Sequence, residues 1–361
     1  MLAISIIGGR PNLIKTEPVH KGLIDAGINH LLVDVGVFRK EYGARTYSEL
    51  GLPNPIVLNP VIETDDYLKD FKKFANNYQE VFQEFKPDVV LVYGDLNPGF
   101  SASVAASVCN IPIAHVESGL RNYDIDDTEE INRLTIDRFS KIHFAISHSS
   151  YNNLVREKFN KRNICLSGNP ITNALSAHLP FAETSLLDKF SLKPKQYGLI
   201  TIHRDENLRN SSKLRKILEI IQGVQLEIPL VFIQYSSTLK AIHHLDKTDF
   251  DKLKNVTLLN TVSYHDYLGL LNNTAFVFTD SSGLQDETSF LGIPCFTCRE
   301  NNHRPDTLLG TNKLVGPDSK KTVKLIISSA QNIGQTNPSY PKEWDFNVGR
   351  RISKKLIQHF G

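Results

Sequence analysis

Short runs rich in β-branched and aromatic residues alternate with helix-like stretches along the whole chain. That alternation is what most constrains the fold, because it calls for α/β architecture with parallel strands joined by helical crossovers. In the first half, strands are predicted at Leu2–Ile7, Leu31–Val35, Val89–Tyr93, Ile113–Val116, His143–Ala145 and Asn163–Leu166. Helices are predicted over Leu13–Ala26, Asp65–Phe85 and Gly99–Val108. In the second half the predicted strands are Leu199–His203, Leu230–Tyr235, Val256–Leu259, Ala275–Thr279, Pro294–Thr297 and Lys313–Val315, with helices near Ser211–Leu226, His265–Leu271 and Leu284–Phe290. The same architecture thus occurs twice, which fits the two domains that 361 residues suggest. The least patterned join runs from Ser176 to Tyr197, so the domains are placed at 1–176 and 177–345. The stretch Asn347–Phe360 reads as a basic helix with no strand after it, and residues 346–361 are expected to pack back on the first domain. Ligands of doubly wound sheets bind beyond the carboxyl ends of the strands, so two such domains are expected to face each other across a cleft.

The polar residues that follow the strands carry the chemistry. After the first strand comes Gly8-Gly9-Arg10-Pro11-Asn12-Leu13-Ile14-Lys15. Glycines permit a tight turn, Pro11 suits a helix start, and free amides there with Arg10 would bind an anion. A plain strand–helix turn with a surface arginine explains the same residues. The three spaced glycines of the dinucleotide fingerprint are absent, which argues against NAD. Asp95, in Gly94-Asp95-Leu96-Asn97, is either a helix cap or a site carboxylate. The next strand end carries His115-Val116-Glu117-Ser118-Gly119-Leu120-Arg121, and Asp127 is placed to cap a helix whose first turn holds Glu129 and Glu130. Glu129 and Arg133 have the spacing of an ordinary helix ion pair, but Asp95 and Glu117 on the same sheet edge favour a functional group of carboxylates. In the second half, His203-Arg204-Asp205-Glu206-Asn207 follows a strand, and a histidine there suits an acid, a base or a ligand contact. Thr279-Asp280-Ser281-Ser282-Gly283, opening a helix, reads either as a second phosphate cradle or as simple capping. Glu287, one turn in, suits a ribose diol. The loop Arg299–Thr307 ends the following strand.

The bulk properties exclude several classes. A net charge of +2 gives no basic field for nucleic acid. The apolar start Met1–Ile7 runs into Gly8-Gly9-Arg10 without a basic leader or cleavage site, so it reads as a strand and not a signal peptide. No apolar run is long enough for a membrane span. Cys109, Cys165, Cys295 and Cys298 lie in apolar surroundings. Cys295-x-x-Cys298 lacks a second pair at zinc spacing, so packing in a reducing cytoplasm is expected, with no metal.

Together these motifs resemble the non-hydrolysing UDP-N-acetylglucosamine 2-epimerases, including relatives acting on UDP-diacetamido-uronic acids. The anchors are Gly-Gly-Arg-Pro at 8–11 with Lys15, Tyr-Gly-Asp at 93–95, His-Val-Glu-Ser-Gly-Leu-Arg at 115–121, and Glu-Glu-Ile-Asn-Arg at 129–133. They continue with Gly-Asn at 168–169, His-Arg-x-Glu-Asn at 203–207, Thr-Asp-Ser-x-Gly at 279–283 with Glu287, Arg-Pro at 304–305 and Gly-Thr-Asn at 310–312. The resemblance implies two Rossmann-like domains in a GT-B-like fold and a homodimer. It also implies inversion at C2 of a UDP-2-acetamido sugar by elimination of UDP to a glycal and re-addition, without a cofactor. It implies that Asp95, Glu117, Glu129 and His203 are catalytic. Arg10, Ser281, Ser282 and Gly283 would serve the diphosphate and Glu287 the ribose, with Lys15, Arg121, Glu130, Arg133, Asn169, Arg204 and Arg304 as further substrate contacts.

The chain departs from the family pattern at Val37-Phe38, where Gln-His is usual, at Tyr235 for His, at Asn302-His303 for Thr-Glu, at Thr128 for Pro and at Ser282 for Gly. In some bacterial members the lost Gln and His contact a second, activating UDP-sugar, so this chain is expected to lack that behaviour. The same changes allow an altered substrate. A hydrolysing epimerase, a glycosyltransferase on the same fold and a non-catalytic UDP-sugar binder are the competing readings.

Overall fold

Strands that are apolar on both faces need cover on both faces, and the chain supplies it with helices between successive strands. The computed structural model describes residues 1–36, 46–58, 67–243, 252–316, 318–331 and 337–361. By its contacts the chain divides into two units, one made of Met1–Ala177 with Pro341–Gly361 and the other of His178–Tyr340.

In the first unit the elements run β1 (Leu2–Ile7), α1 (Arg10–Asp25), β2 (Asn29–Asp34), β3 (Ile56–Val57), α2 (Tyr67–Phe85), β4 (Val89–Tyr93), α3 (Asn97–Val108) and β5 (Ile113–Val116). They continue with α4 (Thr128–Phe139), β6 (Ile142–Ala145), α5 (His148–Arg156), β7 (Ile164–Leu166) and α6 (Pro170–His178). The described strands form a seven-stranded parallel sheet in the order β3-β2-β1-β4-β5-β6-β7. The order reverses between β1 and β4, and this reversal makes the loops after those two strands the natural ligand position. Alternation along each strand divides the core. Ile4, Ile6, Val90 and Val92 face Phe74, Tyr78 and Phe82 of α2 and Ala102 and Ala106 of α3. Ala3, Val89 and Leu91 face the opposite way, onto Val19 and Leu23 of α1.

That second face is completed from the far end of the chain. Helix α14 (Val348–Phe360) buries Val348, Ile352 and Leu356, one stripe at helical spacing, in the same cluster. Burying such side chains stabilises by about 1.5–3 kcal/mol each. The approach to α1 is close. A Cβ on Gly349 would lie 2.0 Å from the Pro18 carbonyl oxygen, and one on Gly22 would lie 2.3 Å from the Gly349 carbonyl carbon. The re-entry begins at Pro341, ahead of the expected 346. Trp344 is its first anchor, buried against Leu120 and Ile146 with its indole N–H donating to the Ile146 carbonyl at 3.0 Å.

The second unit repeats the plan with α7 (Ser185–Lys189), β8 (Gly198–Thr201), α8 (Asp205–Leu208), α9 (Ser211–Val224), β9 (Leu230–Gln234), α10 (Ser236–His243) and β10 (Val256–Asn260). After these come α11 (Tyr264–Asn273), β11 (Phe276–Thr279), α12 (Ser282–Leu291), β12 (Cys295–Thr297), β13 (Asn312–Leu314) and α13 (Ser319–Gln331). The described strands form a six-stranded parallel sheet, β10-β9-β8-β11-β12-β13, which reverses between β8 and β11. Phe232, Phe276, Phe278 and Phe296 pack with Leu214, Ile217 and Ile221 of α9 and Ile326 of α13.

The join expected to be unpatterned is helical. α6 crosses the boundary, a 3-10 turn covers Leu179–Phe181, and α7 follows. α5 also escaped the sequence reading. Its capping box uses Ser147 with Ser150 at the third position, where the usual signature has Glu or Gln. All four cysteines are free thiols. Burial pushes Cys295 up to about 11, which fits a packing role. No described helix is long and apolar enough to cross a membrane.

Candidate active site

In the first unit the loop after β1 enters α1 through Gly9, with extended backbone and no side-chain cap, and Arg10 and Pro11 open the helix. Asn12 stitches this loop to its neighbour. Its Oδ1 accepts from the Gly8 amide at 3.2 Å and its Nδ2 donates to the Tyr93 carbonyl at 2.9 Å. Lys15, one turn on, forms an ion pair with Glu117 beyond β5, and both side chains are buried. Gly94 makes room for that pair. Its φ is +65°, and a Cβ there would stand 3.2 Å from Glu117 Oε2 and 3.3 Å from Lys15 Nζ. A larger residue would be both strained and crowded. Glu117 is itself a non-glycine residue at φ +72°, a conformation that costs energy and that functional sites tend to retain.

Asp95 follows Gly94 and is held by α4. Arg133 Nη1 donates to its carboxylate, and Asn132 Nδ2 donates to its carbonyl at 2.9 Å. The expected cap is present, since Asp127 accepts from the Glu129 amide at 2.9 Å. The spacing of Glu129 and Arg133 gives an ion pair at 3.9 Å, and Arg133 also meets Glu130 at 2.8 Å and Asp95 more closely still. The planar fork reaches one helical turn back and across to β4 at once. Burial opposes its charge, yet Asp95, Glu130 and Glu129 outweigh that and raise its affinity for the proton. The accessible carboxylates are therefore Asp95 and Glu129, whose side chains are 20% and 28% exposed, against 1% for Glu117 and Glu130.

Two of the expected substrate contacts also brace the loop after β5. Glu130 accepts from the Asn122 and Tyr123 amides at 3.1 Å each and so holds the loop before its own helix. Arg121 is fully buried. It donates to Glu157 at 2.7 and 2.8 Å, to Asp137 at 2.7 Å and to the Leu120 carbonyl at 2.7 Å. These bonds brace the loop that follows Glu117. Asn169 caps α6 by accepting from the Ile171 amide at 3.0 Å, and its buried Nδ2 has no hydrogen-bond partner among the described residues. Sequence reasoning missed Asp137 altogether, because nothing in the spacing of a buried mid-helix aspartate marks it. Val37 and Phe38 lie outside the described residues.

In the second unit Asp280, immediately after β11, organises the edge. Its wholly buried carboxylate accepts from the His203 amide at 3.1 Å, the Arg204 amide at 3.0 Å and Asn207 Nδ2 at 3.0 Å, and it lies 3.2 Å from His203 Nδ1. The His203 ring stands edge-on to Tyr235 at 5.4 Å and stays about one-third exposed. Ser281 caps α12, and Ser282 and Gly283 open it. Arg204 donates from Nη2 to the Ser282 hydroxyl at 2.9 Å, and Arg299 approaches the same hydroxyl at 3.4 Å while pairing with Glu206 at 3.2 Å. Two guanidinium groups and a helix N-terminus thus meet at one point, which suits an anion. Arg299 was not singled out from the sequence. Glu287, one turn into α12, accepts from the Tyr267 phenol; burial first, and then the Glu287 charge, keep that phenol protonated. Arg304 pairs with Asp286 at 2.6 Å. The structure therefore groups Arg10, Lys15, Asp95, Glu117, Glu129 and Arg133 at one sheet edge. It groups His203, Arg204, Ser281, Ser282 and Gly283 at the other, with Glu287 and Arg304 on and beside α12.

Comparison with known proteins follows this geometry. A family profile described as UDP-N-acetylglucosamine 2-epimerase matches residues 25–356. A UDP-N-acetylglucosamine 2-epimerase of Methanocaldococcus jannaschii is 33% identical over 332 residues, covering 89% of this chain and 90% of the relative. A UDP-2,3-diacetamido-2,3-dideoxy-D-glucuronate 2-epimerase of Pseudomonas aeruginosa is 30% identical over 351 residues, covering 93% of each. The crystal structure of the M. jannaschii UDP-GlcNAc 2-epimerase in complex with UDP-GlcNAc and UDP superposes with a TM-score of 0.88 at 30% identity, over 99% of this chain and all of that one.

Proposed function

The chain belongs to the UDP-N-acetylglucosamine 2-epimerase family, and on that footing we propose that it inverts C2 of a UDP-2-acetamido sugar. The observation that carries the reading is the set of carboxylates gathered at the ends of β4 and β5 and the start of α4, ordered by Lys15 and Arg133. A carboxylate removes the C2 proton, the C1–O bond to UDP breaks, and a glycal and UDP form. UDP then re-adds at C1 while a proton is delivered to the other face of C2. No step of this elimination and re-addition transfers a hydride, so the route requires no redox cofactor. Glu117, Asp95 and Glu129 are the assigned proton carriers, and general acid–base catalysis of this kind contributes about 100- to 10,000-fold. Arg10, Arg204 and the α12 amides at Ser282 and Gly283 stabilise the departing diphosphate, whose charge grows as the bond breaks. Glu287 accepts from the ribose hydroxyls, and His203 completes the acid–base set.

Incubation with a panel of UDP-sugars in D2O tests this. Inversion at C2 with solvent deuterium at that carbon is expected by NMR, and binding without exchange overturns it. Free UDP rising in step with product would indicate the hydrolysing relative instead. A modified sugar is the second reading, favoured by Tyr235, Asn302-His303 and Ser282, and the same panel distinguishes it. The enzyme is proposed to act in the cytoplasm as a homodimer; a monomeric mass by light scattering overturns the dimer.

A further inference from the structure

Beneath the Glu117 turn lies a buried polar group that no assigned role explains. Asp137 on α4 is fully buried and receives four donors. Its Oδ1 accepts from His115 Nδ1 at 2.6 Å and from the Ser118 hydroxyl. Its Oδ2 accepts from the Gly119 amide at 3.1 Å and Arg121 Nη2 at 2.7 Å. The other ring nitrogen of His115, Nε2, meets the Gly94 carbonyl at 2.8 Å. A carbonyl oxygen only accepts, and an ionised carboxylate only accepts. Both ring nitrogens of His115 are therefore placed to donate, one to the carboxylate and one to the carbonyl.

We propose that His115 and Asp137 form a positioning pair that fixes Asp95 and Glu117 for proton transfer at C2. One arm, through Nε2, sets the Gly94 carbonyl, whose residue turns at positive φ into Asp95. The other arm, through the Asp137 carboxylate, gathers the hydroxyl and amide that follow Glu117 and so secures its left-handed backbone. The amides of Glu117 and Ser118 both donate to the Phe144 carbonyl at 3.1 Å, which alone leaves the turn free to pivot. Burial works against the Asp137 charge, but His115, His143 and Arg121 outweigh it and hold the carboxyl well below its usual range. The charged and titratable groups facing the pair are His143, 3.8 Å from Asp137, and Arg121, whose outer side is neutralised by Glu157. Neither His115 nor Asp137 touches substrate in this assignment. Both act through the residues that do.

The inference rests on the epimerase reading, and the test separates the two. The full-length chain labelled with 15N-histidine is expected to show, at neutral pH, one histidine with both ring nitrogens protonated, and His115→Asn removes that signal. Asp137→Asn, which withdraws the ionic acceptor, is expected to return His115 to a singly protonated ring. Misplacing catalytic groups by an ångström costs about 100-fold, so kcat in either variant is expected to fall by about 10- to 100-fold. KM and UDP affinity should stay within about threefold of wild type, because the assigned UDP contacts lie elsewhere. If Asp137→Asn does not fold, His115→Asn carries the test alone. A wild-type His115 with a single ring proton, or folded variants with wild-type kcat, overturn the proposal. Failure of the wild type to invert C2 overturns the epimerase reading and leaves the imidazolium signal still decisive for the pair.

Discussion

Asp95 and Asp280 hold the same topological place, each just beyond the strand that lies next to the first strand of its sheet, on the far side of the reversal. Their employment is opposite. Asp95 stays partly exposed and spends its side chain on Arg133. Asp280 is sealed and spends its side chain on two backbone amides and Asn207. The difference begins with one residue. Gly94 intervenes after β4 at positive φ, whereas Asp280 follows Thr279 directly. One sheet edge thus presents carboxylates, and the other consumes its carboxylate to present amides and arginines. A shared fold position therefore does not carry a shared role.

The comparison breaks most visibly at the first edge. Glu117→Gln should lower C2 exchange by about 100- to 10,000-fold, the range general acid–base catalysis supplies, and should also lower the unfolding midpoint, because it leaves the buried Lys15 without its carboxylate. Wild-type turnover in that variant would remove Glu117 from the chemistry. Other stability effects should follow burial too. Ile352→Ala in the returning helix is expected to cost about 2–5 kcal/mol by urea denaturation, because it opens a cavity under the first sheet. Asp280→Asn should cost less, about 1–3 kcal/mol, by leaving part of its amide network unsatisfied, and should weaken UDP binding and slow C2 proton transfer together, because Asp280 holds both Arg204 and His203.

A pH series sharpens the contrast between the units. In the second unit, burial and then His265 hold the His178 imidazole down to about 4. An unfolded histidine titrates near 6.5, so the unfolded chain takes up a proton that the folded unit refuses. That contribution to stability is complete above the unfolded value and declines as pH falls toward about 4. His30 in the first unit is held down to about 3, chiefly by burial, so its decline extends to lower pH. His178→Phe should flatten the urea midpoint between pH 4 and 6.5, and an unchanged slope would refute the assignment. The smallest expected effect is an absence. Rates should be hyperbolic in UDP-N-acetylglucosamine, because Val37-Phe38 replaces the Gln-His of the allosteric members, and a sigmoidal curve would restore that behaviour.

Much of this was legible in the residues because local rules govern it. Strands buried on both faces must be nearly continuous apolar runs, so β1, β4 and β5 could be read directly at Leu2–Ile7, Val89–Tyr93 and Ile113–Val116. The turns that follow them announce themselves by glycine, proline and a capping aspartate. Long-range partners were not legible: Arg121 pairs with Glu157, 36 residues away, and Arg133 with Asp95, 38 residues away, and no local spacing marks such pairs.

By itself, then, the sequence determined the two α/β sheets, the turns that follow their strands and the family to which the chain belongs, since each rests on periodicity, turn chemistry or ordered motifs. Only the tertiary structure decided which charges are spent on one another. Trp344 reaches Ile146 across 198 residues, Arg121 reaches Asp137, and His115 reaches the Gly94 carbonyl. A buried ion must find partners wherever the fold brings them, and sequence separation carries no information about that distance.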